Sequence, residues 1–436
     1  MLTSLLSVLA ASLWLTGVFD IFVDRAILSD SRLLVFIVFL ASSLLIATRL
    51  TRIVMVITTV TSMIWIYTGN DAGILIEALR FSLVFTVFLP ALVFIRETLE
   101  SSPEIGRARN SFFALPTGQR STGLVIGNQL LGSVLTLGVL AVSAPLVSED
   151  DPEPVRRQTA LDVLRGVTLA VPWSPFTIGI VYVLGFRPSL ELHEVLLTGF
   201  MLSVLYTVVS VIQQAGFRGL KAIPQSLKVF APLIKPIMFS VAMVLLLATV
   251  TPLSTLESVA LAMPVLCLTR LVSLGRYPAQ NTLLRSYQRI GATGNELLLF
   301  ASAVTLGLLI QKSGLAEQVV SVLTLDKMLL PLAIAFLLST GALLCLSGMH
   351  SILVGTVIAA LISPLDDRLP DIVEAHIILF GWMCGAMLSY GSLSIGLATR
   401  LFNVKVSRLI FSPSLIYTLW LILVVTVVFS IWTTIV

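Results

Sequence analysis

Apolar runs of membrane-spanning length recur along almost the whole chain. A helix that crosses a bilayer needs about 20 largely apolar residues. Such runs fall near 3–22, 33–48, 53–68, 73–95, 158–186, 192–213, 229–250, 256–270, 296–311, 375–399 and 411–435. Only 11% of the 436 residues are charged, and mean hydropathy is +1.02. A soluble domain carries about 25% charged residues, so this chain has too few to wrap a core in a water-compatible surface. The pattern predicts an all-α polytopic membrane protein. It excludes a nucleic-acid binder, a cytosolic enzyme and a disulfide scaffold, and a net charge of +4 implies no polyanionic partner. Cys267, Cys345 and Cys384 lie inside apolar runs, as small buried hydrophobes do. The opening MLTSLLSVLAASLWLTGVF lacks a basic n-region and reads as a retained first helix.

Two further apolar stretches, 121–147 and 328–363, carry Gly and polar residues at their middle. Read as re-entrant hairpins, they leave the connecting segments sorted by charge. Segments 49–52, 96–120, 148–157, 214–228, 270–295 and 400–409 hold 18 of the 27 Lys and Arg; those on the other side hold six. The positive-inside rule places the first set in the cytoplasm. The resulting plan has about eleven transmembrane helices plus two re-entrant hairpins, the N-terminus inside and the C-terminus outside, in a cell inner membrane. Arg80, Arg165 and Lys235 fall within spans.

The plan repeats itself with opposite orientation. An extra helix occupies 1–32. A first repeat runs over 33–213, with hairpin 121–147 and broken helix 158–186. A cytoplasmic linker at 214–228 leads to a second repeat at 229–436, with hairpin 328–363 and broken helix 375–399. Inverted-topology repeats of this kind place a binding site near the midplane between them. Short motifs support the pairing. Pro172-Trp173-Ser174-Pro175-Phe176-Thr177-Ile178-Gly179-Ile180 aligns with Ser389-Tyr390-Gly391-Ser392-Leu393-Ser394-Ile395-Gly396-Leu397. Within the hairpins, Gly127-Asn128-Gln129 aligns with Gly348-Met349-His350; both are preceded by Ser-Thr-Gly (Ser121-Thr122-Gly123 and Ser339-Thr340-Gly341), and aligning these as well needs a gap of three residues.

The aligned residues carry ligand-binding chemistry. Pro172 and Pro175 remove backbone donors and break an apolar helix; Gly391 and its neighbouring serines act more weakly. Broken backbone at membrane depth is tolerated where protein buries it or where it lines a watery cavity. The freed amides, carbonyls and half-helix ends then suit small ions and anionic groups. A packing kink is the alternative.

Candidate substrate ligands are Gln129, Trp173, Ser174, Thr177, His350, Ser351, Tyr390, Ser392 and Ser394. Asn128 and His350 are the candidates for ion coupling, Asn128 toward Na+ and His350 toward H+. Each hydroxyl has the alternative of bonding back to its own helix, and His350 that of capping the hairpin turn. Trp173 and Tyr390 wall a site or pack. The pairs Asp162–Arg165 and Glu77–Arg80 are spaced to share a helix face and read as structural or gating. Segment 97–118 and the shorter 313–326 have the composition of interfacial arms or of plain cytoplasmic connections, the latter being the reading preferred for the second.

In this layout of hairpins and broken helices the chain resembles the ion transporter superfamily, which includes the sodium–dicarboxylate symporters and the membrane subunits of tripartite periplasmic carriers. The resemblance covers roughly 33–436 as architecture and assigns no subfamily. It implies a single substrate site where hairpin tips and broken helices meet, an elevator-type movement, and a homodimer.

Enzyme signatures are missing. His193-Glu194 lacks the second histidine of a metalloprotease motif, and no phosphate-cradling loop ends in Lys-Ser or Lys-Thr. The expectation is a non-enzymatic secondary transporter for a small organic anion, a carboxylate or sulfonate, driven by Na+ or H+. It needs no cofactor, binds no nucleic acid and has membrane lipid as surroundings. The alternatives are an intramembrane enzyme acting on a lipid-linked substrate and a non-transporting assembly subunit.

Overall fold

The computed structural model describes residues 2–22, 26–113, 115 and 117–435. Arg25 in the 23–32 connection, and Ala114 and Pro116 in segment 97–118, lie outside the described residues. The chain is 84% helical, with no strand among the described residues. Nine helical stretches there are long and apolar enough to cross a membrane. The expected span at 158–186 is interrupted and forms two shorter helices.

The helices gather into two compact units. Helices α1 (Leu2–Asp20), α2 (Ala26–Ser43), α3 (Arg49–Tyr67), α4 (Gly73–Leu83) and α5 (Phe85–Glu100) lie in unit one. Unit two takes α6 (Pro103–Phe113), α7 (Arg120–Leu135), α8 (Gly138–Ser143), α9 (Glu153–Leu169), α10 (Ile178–Phe186) and α11 (Leu192–Ala215). The boundary falls inside α12 (Ala222–Val250), and unit one resumes with α13 (Thr255–Leu274), α14 (Arg276–Ile290) and α15 (Gly294–Lys312). It falls again inside α16 (Leu315–Val322). Unit two ends with α17 (Leu330–Leu346), α18 (Ser351–Ile362), α19 (Asp371–Leu388), α20 (Leu393–Phe402), α21 (Val406–Ile410) and α22 (Pro413–Ile435). Each compact unit therefore takes a part of both halves read from the sequence.

Unit one is closed by polar contacts at helix ends. Ser254 and Glu257 form a capping box that starts α13, the Glu257 carboxylate accepting from the Ser254 amide at 2.7 Å. Thr48 accepts from the Thr51 amide to start α3. Glu97 of α5, almost fully buried, is paired with Arg289 of α14. Arg32 of α2 reaches Asp20 of α1 at 2.5 Å. α14 packs across α5 and α1, and Gly291 lets the chain after it approach the Ser7 backbone.

In unit two the same order of elements occurs twice. α7 and α8 form a helical hairpin, a short 3-10 turn follows, and α9 starts after Pro152 and breaks before α10. α17 and α18 form a second hairpin, another 3-10 turn follows, and α19 starts after Pro370 and breaks before α20. Small residues set the packing. A Cβ at Gly166 of α9 would stand 2.6 Å from the Val125 carbonyl of α7, and one at Gly385 of α19 would stand 2.7 Å from Cα of Ser351. Close backbone approach of this kind is what holds apolar helices together where lipid removes the hydrophobic drive. The two series interlock. α10 packs on α18 and α19, while α20 packs on α8 and α9.

The tip of the first hairpin is not where the sequence motif puts it. Gly127-Asn128-Gln129 lies in the middle of α7, and the chain turns at Thr136 and Leu137, with Thr136 at φ 49°. Gly127 is needed for contact instead: a Cβ there would meet the Phe112 and Phe230 rings at 2.5 Å. The second hairpin turns at 347–350, with Gly348 at φ 95°.

Candidate functional site

The two breaks in unit two share a design. The first spans 170–177, between α9 and α10. Ser174 there is fully buried, donates its hydroxyl to the Ser133 carbonyl near the end of α7, and accepts from the Phe176 amide at 3.2 Å. The Thr177 amide bonds the Ser174 carbonyl at 3.2 Å, and Thr177 is the N-cap of α10. The second break spans 389–392. Ser389, also fully buried, donates to the Met349 carbonyl at 2.7 Å and accepts from the Gly391 amide at 3.0 Å. The Ser392 amide bonds the Ser389 carbonyl at 3.1 Å, and Ser392 is the N-cap of α20.

Ser174 is thus the counterpart of Ser389, and Thr177 of Ser392. The motif alignment, which set Ser174 against Gly391 and Thr177 against Ser394, is displaced by two residues. The first break is longer by four residues, all of them before Ser174.

Neither Thr177 nor Ser392 bonds its side chain to the first-turn amides of the helix it opens. Those N–H groups have no partner within the helix, and the helix dipole makes the end attractive to negative charge. Thr177 donates its hydroxyl to the Ser174 carbonyl at 3.0 Å. Ser392 and Ser394 lie 2.5 Å apart, with Ser394 donating to the Ala386 carbonyl. The Thr177 and Ser394 hydroxyls therefore satisfy carbonyls freed by the breaks. Trp173 stands edge-on to Phe200 at 5.7 Å, and its buried indole N–H has no partner among the described residues. That donor sits one residue from Ser174.

At the second hairpin, His350 is the N-cap of α18, its Nδ1 accepting from the Ile352 amide at 3.3 Å. That bond requires the proton on Nε2, so the neutral ring keeps one donor for another partner. Ser351 opens α18 against Gly385. Tyr390 is half exposed, with its Cβ 3.8 Å from the position a Cβ on Gly348 would take, and its ring packs on Phe411 at 6.4 Å. The hairpin tip and the break thus meet at Met349, Gly348, Ser389 and Tyr390.

Asn128 and Gln129 are not at this meeting point. The Asn128 amide donates to the Leu124 carbonyl at 2.7 Å and accepts from Ser143 of α8 at 2.6 Å. The Gln129 amide donates to Ser203 at 2.8 Å and accepts from Thr207 at 2.9 Å, both on α11. Both side chains are satisfied within the fold: Asn128 braces the two arms of the hairpin, and Gln129 fastens α7 to α11.

A buried polar seam continues along these helices. Asp162 accepts from Ser121 at 2.7 Å and from Gln158 at 2.9 Å. Arg165, almost fully buried, bonds Ser210 at 3.5 Å and lies over the Tyr417 ring at 4.8 Å. Glu374 of α19 is fully buried and ion-paired with Arg187, which follows α10. His376 is also buried on α19, facing Gly199 of α11.

Sequence reasoning missed Ser133, Ser143, Ser203, Ser389 as a hydroxyl bridge, and His376. Most are single hydroxyls in apolar runs, which give no signal until the partner helix is in place. His376 sat near the edge of an expected span and was masked by it.

No family model matches the chain, and no curated protein matches it.

Proposed function

We propose that the chain is a secondary active transporter for a small organic anion, with the substrate held where the broken helices meet the hairpin ends. The observation that carries this reading is the repeated junction. In each series a buried serine fastens the break to the hairpin, and three residues later a half-helix begins with its amides uncapped. Each uncapped helix N-terminus offers amide donors suited to a carboxylate or sulfonate. The Trp173 indole N–H and His350 Nε2 are further donors at these junctions.

The wider reading is part of the same proposal. About eleven spans and two re-entrant hairpins form an inverted-topology repeat, which is supported by the element order recurring in unit two. Transport is by an elevator-type alternating-access mechanism in a homodimer in the inner membrane, with the N-terminus cytoplasmic. Asn128, whose amide bonds the Leu124 carbonyl and Ser143, is withdrawn as a direct ion ligand. Coupling rests on Na+ at the carbonyls of the breaks or on H+ at His350.

The test is uptake into proteoliposomes of a panel of small carboxylates and sulfonates, under a Na+ gradient and under a pH gradient. Ser174→Leu and Ser392→Leu should insert normally and abolish uptake of whichever anion the wild type accumulates. Wild-type rates in both variants would overturn the site, and turnover of a lipid-linked substrate without any gradient would replace transport with the enzyme reading.

A further inference from the structure

α14 is packed the wrong way round for a helix facing water. Its buried seam is Thr282, Ser286 and Ile290. Thr282 meets Ser101 of unit one at 2.8 Å, and Arg289, one turn beyond Ser286, pairs with Glu97 and Glu100. The residues left outside include Tyr277, 81% exposed, and Leu284, 55% exposed, with Leu283 and Tyr287 beside them. At 100° per residue, Tyr277 and Leu284 form one ridge opposite the buried seam. Arg276 lies to one side of that ridge and Arg285 to the other. Both arginines are exposed and have no ion-pair partner among the described residues.

The charge of the segment decides what can cover it. No Asp or Glu occurs from 258 to 295, while Arg270, Arg276, Arg285 and Arg289 all fall there. A second copy of this chain set against the ridge would bring arginine onto arginine, with no acidic group in the segment to offset the repulsion. A bilayer surface of anionic phospholipid fits instead. Tyrosine and leucine side chains sink into the headgroup boundary, tyrosine with its hydroxyl at the water side. Arginine stems lie along the apolar layer and carry the guanidinium up to phosphate.

We infer that α14 is a docking surface for anionic phospholipid headgroups, held by Arg276 and Arg285 on either side of the Tyr277–Leu284 ridge. The inference stands on the membrane setting of the chain and is independent of what the chain transports. It assigns unit one a lipid preference located at one helix.

The experiment uses the full chain extracted from vesicles of equimolar phosphatidylglycerol and phosphatidylcholine, with the retained lipids counted by native mass spectrometry. The wild type should retain phosphatidylglycerol in excess, by about fivefold for each arginine in contact, and 0.5 M NaCl in the wash should reduce that excess. R276Q/R285Q should lower the retained ratio to near one with an unchanged unfolding temperature, because neither arginine has an ion-pair partner among the described residues to lose. R276K/R285K should keep most of the excess. Equal retention of the two lipids by the wild type would overturn the proposal, as would an undiminished excess in R276Q/R285Q. A change of oligomeric state in that variant without a change in lipid ratio would show that a protein covers the face, and would overturn it too.

Discussion

Ser389 donates its hydroxyl to the Met349 carbonyl across 2.7 Å, which fastens the break between α19 and α20 to the tip of the second hairpin. Ser174 does the same for the first break, through the Ser133 carbonyl. Each hydroxyl also receives an amide from two residues on, so one side chain holds both the turn and the junction.

Removing that hydroxyl strands a carbonyl and an amide in an apolar setting. Ser389→Ala and Ser174→Ala should each lower stability by about 1–3 kcal/mol, the cost of a buried polar group left unsatisfied. Thermal unfolding in detergent measures this. Uptake should fall with both, whereas Ser347→Ala, an exposed hydroxyl bonded only to its own helix at Leu344, should change neither. Equal unfolding temperatures for all three variants would remove the junction as a structural unit.

Thr136 turns the first hairpin with φ 49° and ψ −122°, a backbone conformation that a β-branched residue rarely adopts. The second hairpin uses Gly348 for its positive φ. Thr136→Gly should therefore stabilise the protein, by up to about 1–3 kcal/mol if the native strain is fully released. Its unfolding temperature should rise, while Gly348→Thr should lower it.

These two turns also mark what the sequence made legible. Gly and Pro inside apolar runs announced that something other than a plain span lay at 121–147, 158–186, 328–363 and 375–399, and each contains a turn or a break. The second tip was readable because Gly348 has both the residue type and the conformation of a turn. The first was not. Gly127 is a glycine for the sake of two phenylalanine rings, and the true turn falls on Thr136-Leu137, which carry no turn signal. The compact units were not readable either, because they are fixed by contacts between stretches far apart in the chain, such as α14 against α1 and α20 against α8. The junction serines were visible as residues, but their pairing needed the hairpins in place.

Asn128 joins the two arms of the first hairpin through Ser143 at 2.6 Å. If that is its role, Asn128→Ala and Ser143→Ala should be coupled rather than additive. A double-mutant cycle on unfolding free energy should give an interaction of about 0.5–3 kcal/mol. The Na+ dependence of any transport should survive in the Ser143 variant to the same degree as in the Asn128 variant. A loss of Na+ dependence confined to Asn128 would restore it as an ion ligand.

His350 accepts an amide at the start of α18, so its first duty is that of a cap. Asn at this position supplies an acceptor of the preferred kind, and Ala supplies none; losing such a cap costs about 1 kcal/mol. His350→Asn should keep wild-type stability and His350→Ala should not. Coupling to protons is then read separately. If His350 carries the proton, uptake by the stable Asn variant should lose its dependence on a pH gradient.

Asp162 and Arg165 are both almost fully buried, one turn apart on α9, with no direct bond between them of 4 Å or less. Asp162 is held by Ser121 and Gln158, Arg165 by Ser210 and the Tyr417 ring. Removing either charge alone leaves the other buried with no opposite charge nearby, which should lower stability. Asp162→Asn leaves a guanidinium that cannot shed its proton, so it should be the more damaging single change. Replacing both, as D162N/R165Q, removes the two desolvation penalties together and should be more stable than either single variant. If the pair is structural, the double variant should also transport at close to the wild-type rate. A double variant that folds as well as the wild type and does not transport would instead assign one of the two charges to the transport cycle, and charge-preserving Arg165→Lys, compared with Asp162→Glu, would show which.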